Sequence, residues 1–266
     1  ELIMVVQHNL QASNTNRMLG QNVKAVGKSS EKLASGYQIN RAADDAAGLS
    51  ISEKMRNQIR GINQSVDNAE DGISLIQTAE GNLNEMHSIL QRMGELATKA
   101  ANDVNETEDR STISDEIGQL NTELNSIATK AKYNGKSLSS FSGYLQVGAN
   151  SGDNMHISVA VTVTVATTTV DTHANASTTI TSVTNAIKSV SSQRSKLGAV
   201  QNRLEYTVNS LQNYSENLTT SESRIRDTDM ASEMVSYSKN NILQQAAQSM
   251  LTQANQSNQG VLSLLQ

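Results

Sequence analysis

Apolar residues follow two different periods along this chain. Met55, Ile59, Ile62, Val66, Ala69, Ile73 and Ile76 alternate steps of four and three, the spacing of a coiled-coil seam. The same phase continues through Leu83, Leu90, Ala97 and Val104, with Glu80, His87 and Gly94 standing on it as interruptions. The spacing predicts one helix over 50–104, about 80 Å long at about 1.5 Å per residue. A polar turn at Asn105 to Arg110 leads to a second helix on Ile113, Ile117, Leu120, Leu124, Ile127 and Ala131. A third repeats an apolar residue at Val183, Val190, Leu197, Leu204, Leu211, Leu218 and Ile225. Three helices with matched stripes predict a mainly α fold, a long antiparallel coiled-coil helical bundle.

Between the second and third helices the period changes to two. Tyr133-Asn134-Gly135-Lys136 reads as a turn. Ile157, Val159, Val161, Val163 and Val165 alternate with Ser, Ala and Thr, which predicts a strand. Tyr144 and Gln146 supply a partner strand. The result is a small β-hairpin region at about 139–180, with residues 166–179 as a Thr-rich surface loop.

The two chain ends form a separate class. Leu19, Val23, Val26 and Leu33 mark a weak amphipathic helix over about 8–36. Met230, Met234, Tyr237, Leu243, Ala247, Met250 and Ala254 mark another over about 228–256. Both are rich in Asn, Gln and Ser, and such a helix is marginal alone in water. Each end is expected to bury its stripe on the other and on neighbouring copies. The candidate self-association core is Leu19, Val23, Val26, Leu33, Met234, Leu243, Met250 and Leu251.

Composition narrows the possibilities. Apolar residues make up 36% and aromatics 3%, with one Phe (Phe141) and no Trp, so each element buries one narrow stripe rather than a face of a thick core. The absence of Pro permits very long helices, and the absence of Cys removes disulfides and thiolate chemistry. A net charge of −5 with no basic tract argues against nucleic acid as a partner. No run of 18 apolar residues is present, which argues against membrane insertion. ELIMVVQHNL has no basic n-region or long apolar h-region, so it does not read as a Sec signal peptide, and export would need another route.

No catalytic, cofactor or metal constellation emerges. His8, His87, His156 and His173 have no metal-ligand spacing. Asp44-Asp45 is the tightest acidic pair, and its place at the entry to the long helix suits the helix dipole better than acid–base chemistry. Met55, Met86, Met93, Met230, Met234 and Met250 read as packing residues that adapt to more than one arrangement.

Residues 35–61, SGYQINRAADDAAGLSISEKMRNQIRG, resemble the N-terminal signature of bacterial flagellins, and Glu70 to Gly81 match the segment that follows it. SSQRSKLGAVQNRLEYTVNSL from Ser191, ENLTTSESRIRDTDMASEM from Glu216 and QAAQSMLTQANQ from Gln245 resemble the C-terminal signature. The resemblance covers residues 4 to about 158 and 180–266. It implies that residues 1–45 and 226–266 pair as an inner core domain, and that 46–225 form a helical bundle domain outside it. With only about twenty residues between YLQVGANSGDNMHISV and the third helix, it implies a minimal form without large outer domains. The family's usual start falls near Met4, which leaves Glu1-Leu2-Ile3 as an extension.

The resemblance also implies function and partners. The expectation is a secreted, non-enzymatic subunit of the extracellular flagellar filament that polymerises with itself. It would use type III export, an export chaperone, the filament cap and hook-associated proteins. LQRMGELA at 90–97 and Ser114-Asp115-Glu116-Ile117 are similar to segments that contact Toll-like receptor 5. Gln91, Arg92, Glu95, Leu96 and Glu116 match the contact positions, and Gly94 stands where receptor-binding members carry an Arg. Four other readings compete. An intracellular coiled-coil scaffold has no reason to carry both end signatures. A hook–filament junction protein would match weakly through the central helices. A membrane-active secreted protein would need strongly apolar ends with basic flanks. An enzyme lacks a site.

Overall fold

The computed structural model describes residues 9–166 and 168–264. His8 and the first four residues therefore lie outside the described part. Among described residues the helices are α1 Leu10–Ser35, α2 Ala46–Ala100, α3 Thr107–Lys130, α4 His173–Arg226 and α5 Met230–Leu264. Two antiparallel hairpins join α3 to α4, β1 Lys132–Tyr133 with β2 Lys136–Ser137 and β3 Phe141–Gln146 with β4 Asn154–Val159. The fold is mainly α, with antiparallel bundle helices, a small β region and paired terminal helices. The chain parts into two compact units: 58–216, and the segment up to Asn57 with the segment from Asn217 on.

In the 58–216 unit, α4 runs antiparallel to α2. Arg194 donates to Glu80 at 3.4 Å and Ser215 to Asn63 at 2.9 Å, so numbers rise on one helix as they fall on the other. α3 also runs antiparallel to α2, with Arg92 on Glu116 and Arg110 on the Asn102 carbonyl. The buried seam of α2 is Ile62, Ser65, Ala69, Gly72, Ile76, Ala79, Leu83, Met86, Leu90, Met93, Ala97 and Ala100. Half of this seam sits one residue earlier than the apolar periodicity alone predicts. Glu80, His87 and Gly94 are therefore not interruptions; Ala79, Met86 and Met93 occupy the seam beside them and are fully buried. Small residues at 65, 72 and 79 admit close neighbours, whereas Val66 and Ile73 are only half-buried.

Several boundaries also differ from the sequence expectation, among them the start of α2 at Ala46 rather than 50 and of α3 at Thr107, inside the turn expected at 105–110. α2 ends at Ala100 rather than 104, and Val104 is exposed in the connecting turn. There the Asn105 side chain donates to the Lys99 carbonyl, and Asp109 accepts the Glu106 N–H as α3 begins. α4 begins at His173, so much of the expected loop at 166–179 is helical. The Thr172 hydroxyl accepts the Asn175 N–H at 3.2 Å, an N-cap that starts the helix within the Thr-rich stretch. α5 extends to Leu264 rather than 256.

The hairpins cover the bundle. Asn134 and Gly135 both have positive φ, 46° and 77°, as a tight primed turn requires. β3 and β4 pair from Phe141↔Val159 to Gln146↔Asn154. Leu145 packs directly onto Gly72, in the space a Cβ would need. The predicted strand at 157–165 becomes a ladder strand only up to Val159. Beyond it Val161, Val163 and Val165 remain buried but lie outside any strand pair.

Candidate functional site

The terminal helices pair with each other. Asn9 caps α1 by accepting the Ala12 N–H at 2.9 Å, and its amide donates to the Ala254 carbonyl of α5 at 3.1 Å. At the other end of the pair, Lys32 lies 3.9 Å from Glu233. The pairing is therefore antiparallel. The covered stripe steps by three and four through Ala12, Thr15, Leu19, Asn22, Val26, Ser29 and Leu33 on α1. On α5 it steps through Glu233, Tyr237, Asn240, Gln244, Ala247, Leu251 and Ala254. Most of these side chains are small or polar, so the seam buries little apolar surface and adds little hydrophobic stabilisation.

The eight residues expected to form the self-association core divide between two faces. Leu19, Val26, Leu33 and Leu251 lie half-buried in the α1–α5 seam. Val23, Met234, Leu243 and Met250 lie outside it and are exposed. Leu10 and Met18 on α1 and Met230, Val235 and Ile242 on α5 add to the exposed apolar surface of the two helices. The six large apolar residues of α5 on this surface are 42% to 69% exposed. Six large apolar side chains left in water on one helix that is already paired along its other face call for a partner to cover them. Sequence reading missed Val235 and Ile242, although their spacing of seven was available as a signal.

The chain leaves α1 through a polar clasp. Gly36 takes φ 76° and its N–H caps the Lys32 carbonyl. Gln38 donates to the Arg226 carbonyl at 2.7 Å, and Thr228 donates to the Gly36 carbonyl at 2.9 Å. The Arg226 guanidinium lies 4.8 Å from the centre of the Tyr37 ring and donates to Glu53 at 2.6 Å. The adjacent acidic pair has two structural tasks. Asp45 accepts the Ala47 and Gly48 N–H groups at the start of α2. Asp44 lies 2.8 Å from the Lys28 ammonium and accepts the Asn40 and Arg41 N–H groups. The Lys28 hydrogen bond, followed by the backbone donors, holds the Asp44 pKa down at about 2, against 3.8 for a free side chain.

That depressed pKa sets a pH dependence. The charged form is favoured by folding, so its contribution is complete above about 4 and is lost as pH falls through about 2. Asp44→Asn should therefore melt below the parent at pH 7, and the difference should close between about pH 4 and pH 2. A difference that stays constant over this range in thermal melts would show that the charge is not what Asp44 contributes.

On the 58–216 unit, Arg92 donates to Glu116 at 2.9 and 3.1 Å and to Glu95 at 3.4 Å. Its hydrogen bond to Glu116, reinforced by that carboxylate's charge, raises the guanidinium pKa. Gln91 is exposed and lies 3.2 Å from His87 Nε2. Gln91, Arg92, Glu95 and Glu116 thus form one solvated polar patch. Leu96 does not present an apolar anchor there: it is 4% exposed and belongs to the bundle core, because it packs beside the Met93–Ala97 seam. Gly94 leaves room for a side chain, since an added Cβ would stand 3.6 Å from Val183 Cγ1.

One contact was not legible in the sequence. Ser142 Oγ lies 3.0 Å from His156 Nε2 on the exposed β3–β4 face, with Tyr144 edge-on to the His156 ring at 5.0 Å. Among described residues no helix is long and apolar enough to cross a membrane.

Comparison with known proteins places this geometry in context. The bacterial flagellin N-terminal helical region matches residues 6–144, and the C-terminal helical region matches 180–265. A flagellin of Halalkalibacterium halodurans is 49% identical, over 98% of this chain and all of its own length. A Bacillus subtilis flagellin is 45% identical with the same coverages. The flagellar filament 33 kDa core protein of Treponema phagedenis is 43% identical, again over 98% of this chain and all of its own. A crystal structure of Bacillus cereus flagellin aligns at 30% identity with a TM-score of 0.49, over 55% of this chain and 88% of that one.

Proposed function

Because the chain belongs to the bacterial flagellin family, we propose that the apolar surface left open on its terminal helices is the surface through which copies join. The protein is a structural subunit of the flagellar filament, and it self-assembles into a homopolymer. The observation that carries the proposal is the exposed row Met230, Met234, Val235, Ile242, Leu243 and Met250 on a helix whose other face is already paired. Each large apolar side chain buried against a neighbour contributes about 1.5–3 kcal/mol, and a filament repeats that contribution at every subunit. Brought to polymerising conditions, the purified full chain should form long filaments under the electron microscope. A chain that stays dispersed there would refute the reading.

The same open face supports further partners before and during assembly. An amphipathic helix with one uncovered apolar face fits a groove on another protein. In this reading an export chaperone holds α5 in the unassembled subunit during type III export, and the cap and hook-associated proteins meet the same ends. Loss of chaperone co-elution on Ile242→Asp is the measurement. A second reading concerns the Arg92 patch: the free subunit binds Toll-like receptor 5 through Gln91, Arg92, Glu95 and Glu116, with Leu96 holding the helix from beneath. Support comes from the clustering of these side chains on one exposed surface, and surface plasmon resonance on the free subunit measures it.

A further inference from the structure

Residues 160–166 read Ala-Val-Thr-Val-Thr-Val-Ala, the same in both directions about Val163. They lie between the two matched flagellin regions. Past β4, Val161, Val163 and Val165 are buried while Ala160, Thr162 and Thr164 are exposed, the alternation of an extended chain, up to a bend at Ala166. The β3–β4 sheet has two strands, so β4 and its continuation have one edge without a neighbour. Val161 N–H donates to the Leu138 carbonyl at 3.1 Å, and the Thr162 hydroxyl donates to the Ser139 carbonyl at 2.7 Å, which places the occupied side toward β3. Backbone groups alternate in direction along an extended chain. The N–H and C=O groups of Ala160, Thr162 and Thr164 therefore point to the open side. None of them hydrogen-bonds another backbone group among the described residues.

We propose that this open edge pairs with the same edge of a second copy of this chain, antiparallel and two-fold symmetric about Val163. In a two-fold contact residue i meets j and j meets i, and the palindrome makes the facing side chains alike. Thr162 falls opposite the second copy's Thr164, Thr164 opposite its Thr162, and Val163 opposite its Val163. Thr–Thr pairs across strands are favourable. Between Asp153 and Asp171 the only titratable side chain is His156, so no like charges oppose the contact and no charged peptide is selected instead. The edge also lacks the Lys and Pro that usually protect a free strand. A two-fold contact cannot repeat along a polar helical polymer. It therefore joins unassembled subunits, or subunits of two filaments lying side by side, and stands apart from the helical assembly surface.

The chain has no Cys, so single introduced thiols report the register. The probe is full-length subunit held unassembled, as Thr162→Cys, as Thr164→Cys, and as an equal mixture of the two. Under mild oxidation the mixture should form the disulfide dimer several-fold faster than either variant alone, because position 162 faces position 164. In sedimentation the parent should dimerise with rising concentration. Thr164→Pro, which loses an edge N–H, should stay monomeric while keeping its helical circular dichroism and its ability to form filaments. Thr164→Lys, which places a charge on the edge, should also stay monomeric. Equal cross-linking in all three samples would show random collision and overturn the proposal. So would a parent that sediments only as monomer, or a Thr164→Pro protein that dimerises like the parent.

Discussion

Removing residues 228–266 should abolish filament formation while leaving a strongly helical protein. The deletion takes away all of α5, and with it both faces of the helix. The inner face is the partner of Leu19, Val26 and Leu33 on α1, so α1 loses its seam and, alone in water, its stability. The outer face carries the exposed Met, Val, Ile and Leu row that a neighbouring subunit would cover. The 58–216 unit keeps its own core, including Ile76, Leu83, Leu90, Ile117 and Leu124, all fully buried. Circular dichroism of the truncated chain should therefore still show a helical protein that melts cooperatively, and sedimentation after a shift to polymerising conditions should leave it in solution. Filaments of ordinary length from this truncation would mean that the ends do not drive assembly.

Arg92→Ala should lower affinity of the free subunit for Toll-like receptor 5 by roughly 30-fold, the equivalent of about 2 kcal/mol for an interfacial Arg hot spot. Arg92 is about half exposed and is paired with Glu116 and Glu95, which fixes its planar fork before any partner arrives. The substitution leaves the bundle core untouched, so circular dichroism melts should move little. Gly94→Arg should act in the opposite sense. The site has room for the new side chain, and replacing Gly in a helix interior also gains up to about 1 kcal/mol of helix stability. Unchanged binding by Arg92→Ala would remove this patch from the contact, and unchanged binding by Gly94→Arg would show that position 94 lies outside it.

The sequence conveyed the number and order of the helices because their apolar stripes are long and regular. It conveyed the seam less accurately. A pattern counted only on apolar residues passes over Ser65 and Gly72, which are buried where helices meet, and once set in the neighbouring phase it passes over Ala79, Met86 and Met93 as well. It therefore settled on Val66, Ile73, Glu80, His87 and Gly94, one residue away. The start of α4 was obscured for a related reason: Thr172 is a polar residue in a polar stretch, and only its hydrogen bond to the Asn175 N–H shows it to be a cap. The alternation at 157–165 was legible as burial but not as pairing. Val161, Val163 and Val165 turn inward as predicted, while the ladder ends at Val159 because β3 has no residues opposite them to continue it.

The functional surfaces were legible in outline. The end helices were recognisable as needing partners, because their stripes are thin and broken by Asn, Gln and Ser. Which residues face the intramolecular partner and which remain open could not be read from those stripes. Leu251 and Met250 are adjacent in sequence and lie on different faces. Leu96 shows the same difficulty from the other side: its place among receptor-like residues suggested exposure, whereas the helix phase turns it into the core.

Methionine oxidation tests the central claim most directly, because the chain carries its own probes on both kinds of surface. Met18, Met230, Met234 and Met250 are exposed on the terminal helices, and Met86 and Met93 are fully buried in the bundle. A brief peroxide pulse read by mass spectrometry reports which thioethers the solvent reaches. In unassembled subunit the four terminal methionines should oxidise readily and Met86 and Met93 slowly. In filaments the terminal methionines should become protected toward the rate of Met86 and Met93, which should not change. Terminal methionines that oxidise as fast in filaments as in free subunit would contradict the account, since the open apolar face would then not be the surface that assembly covers.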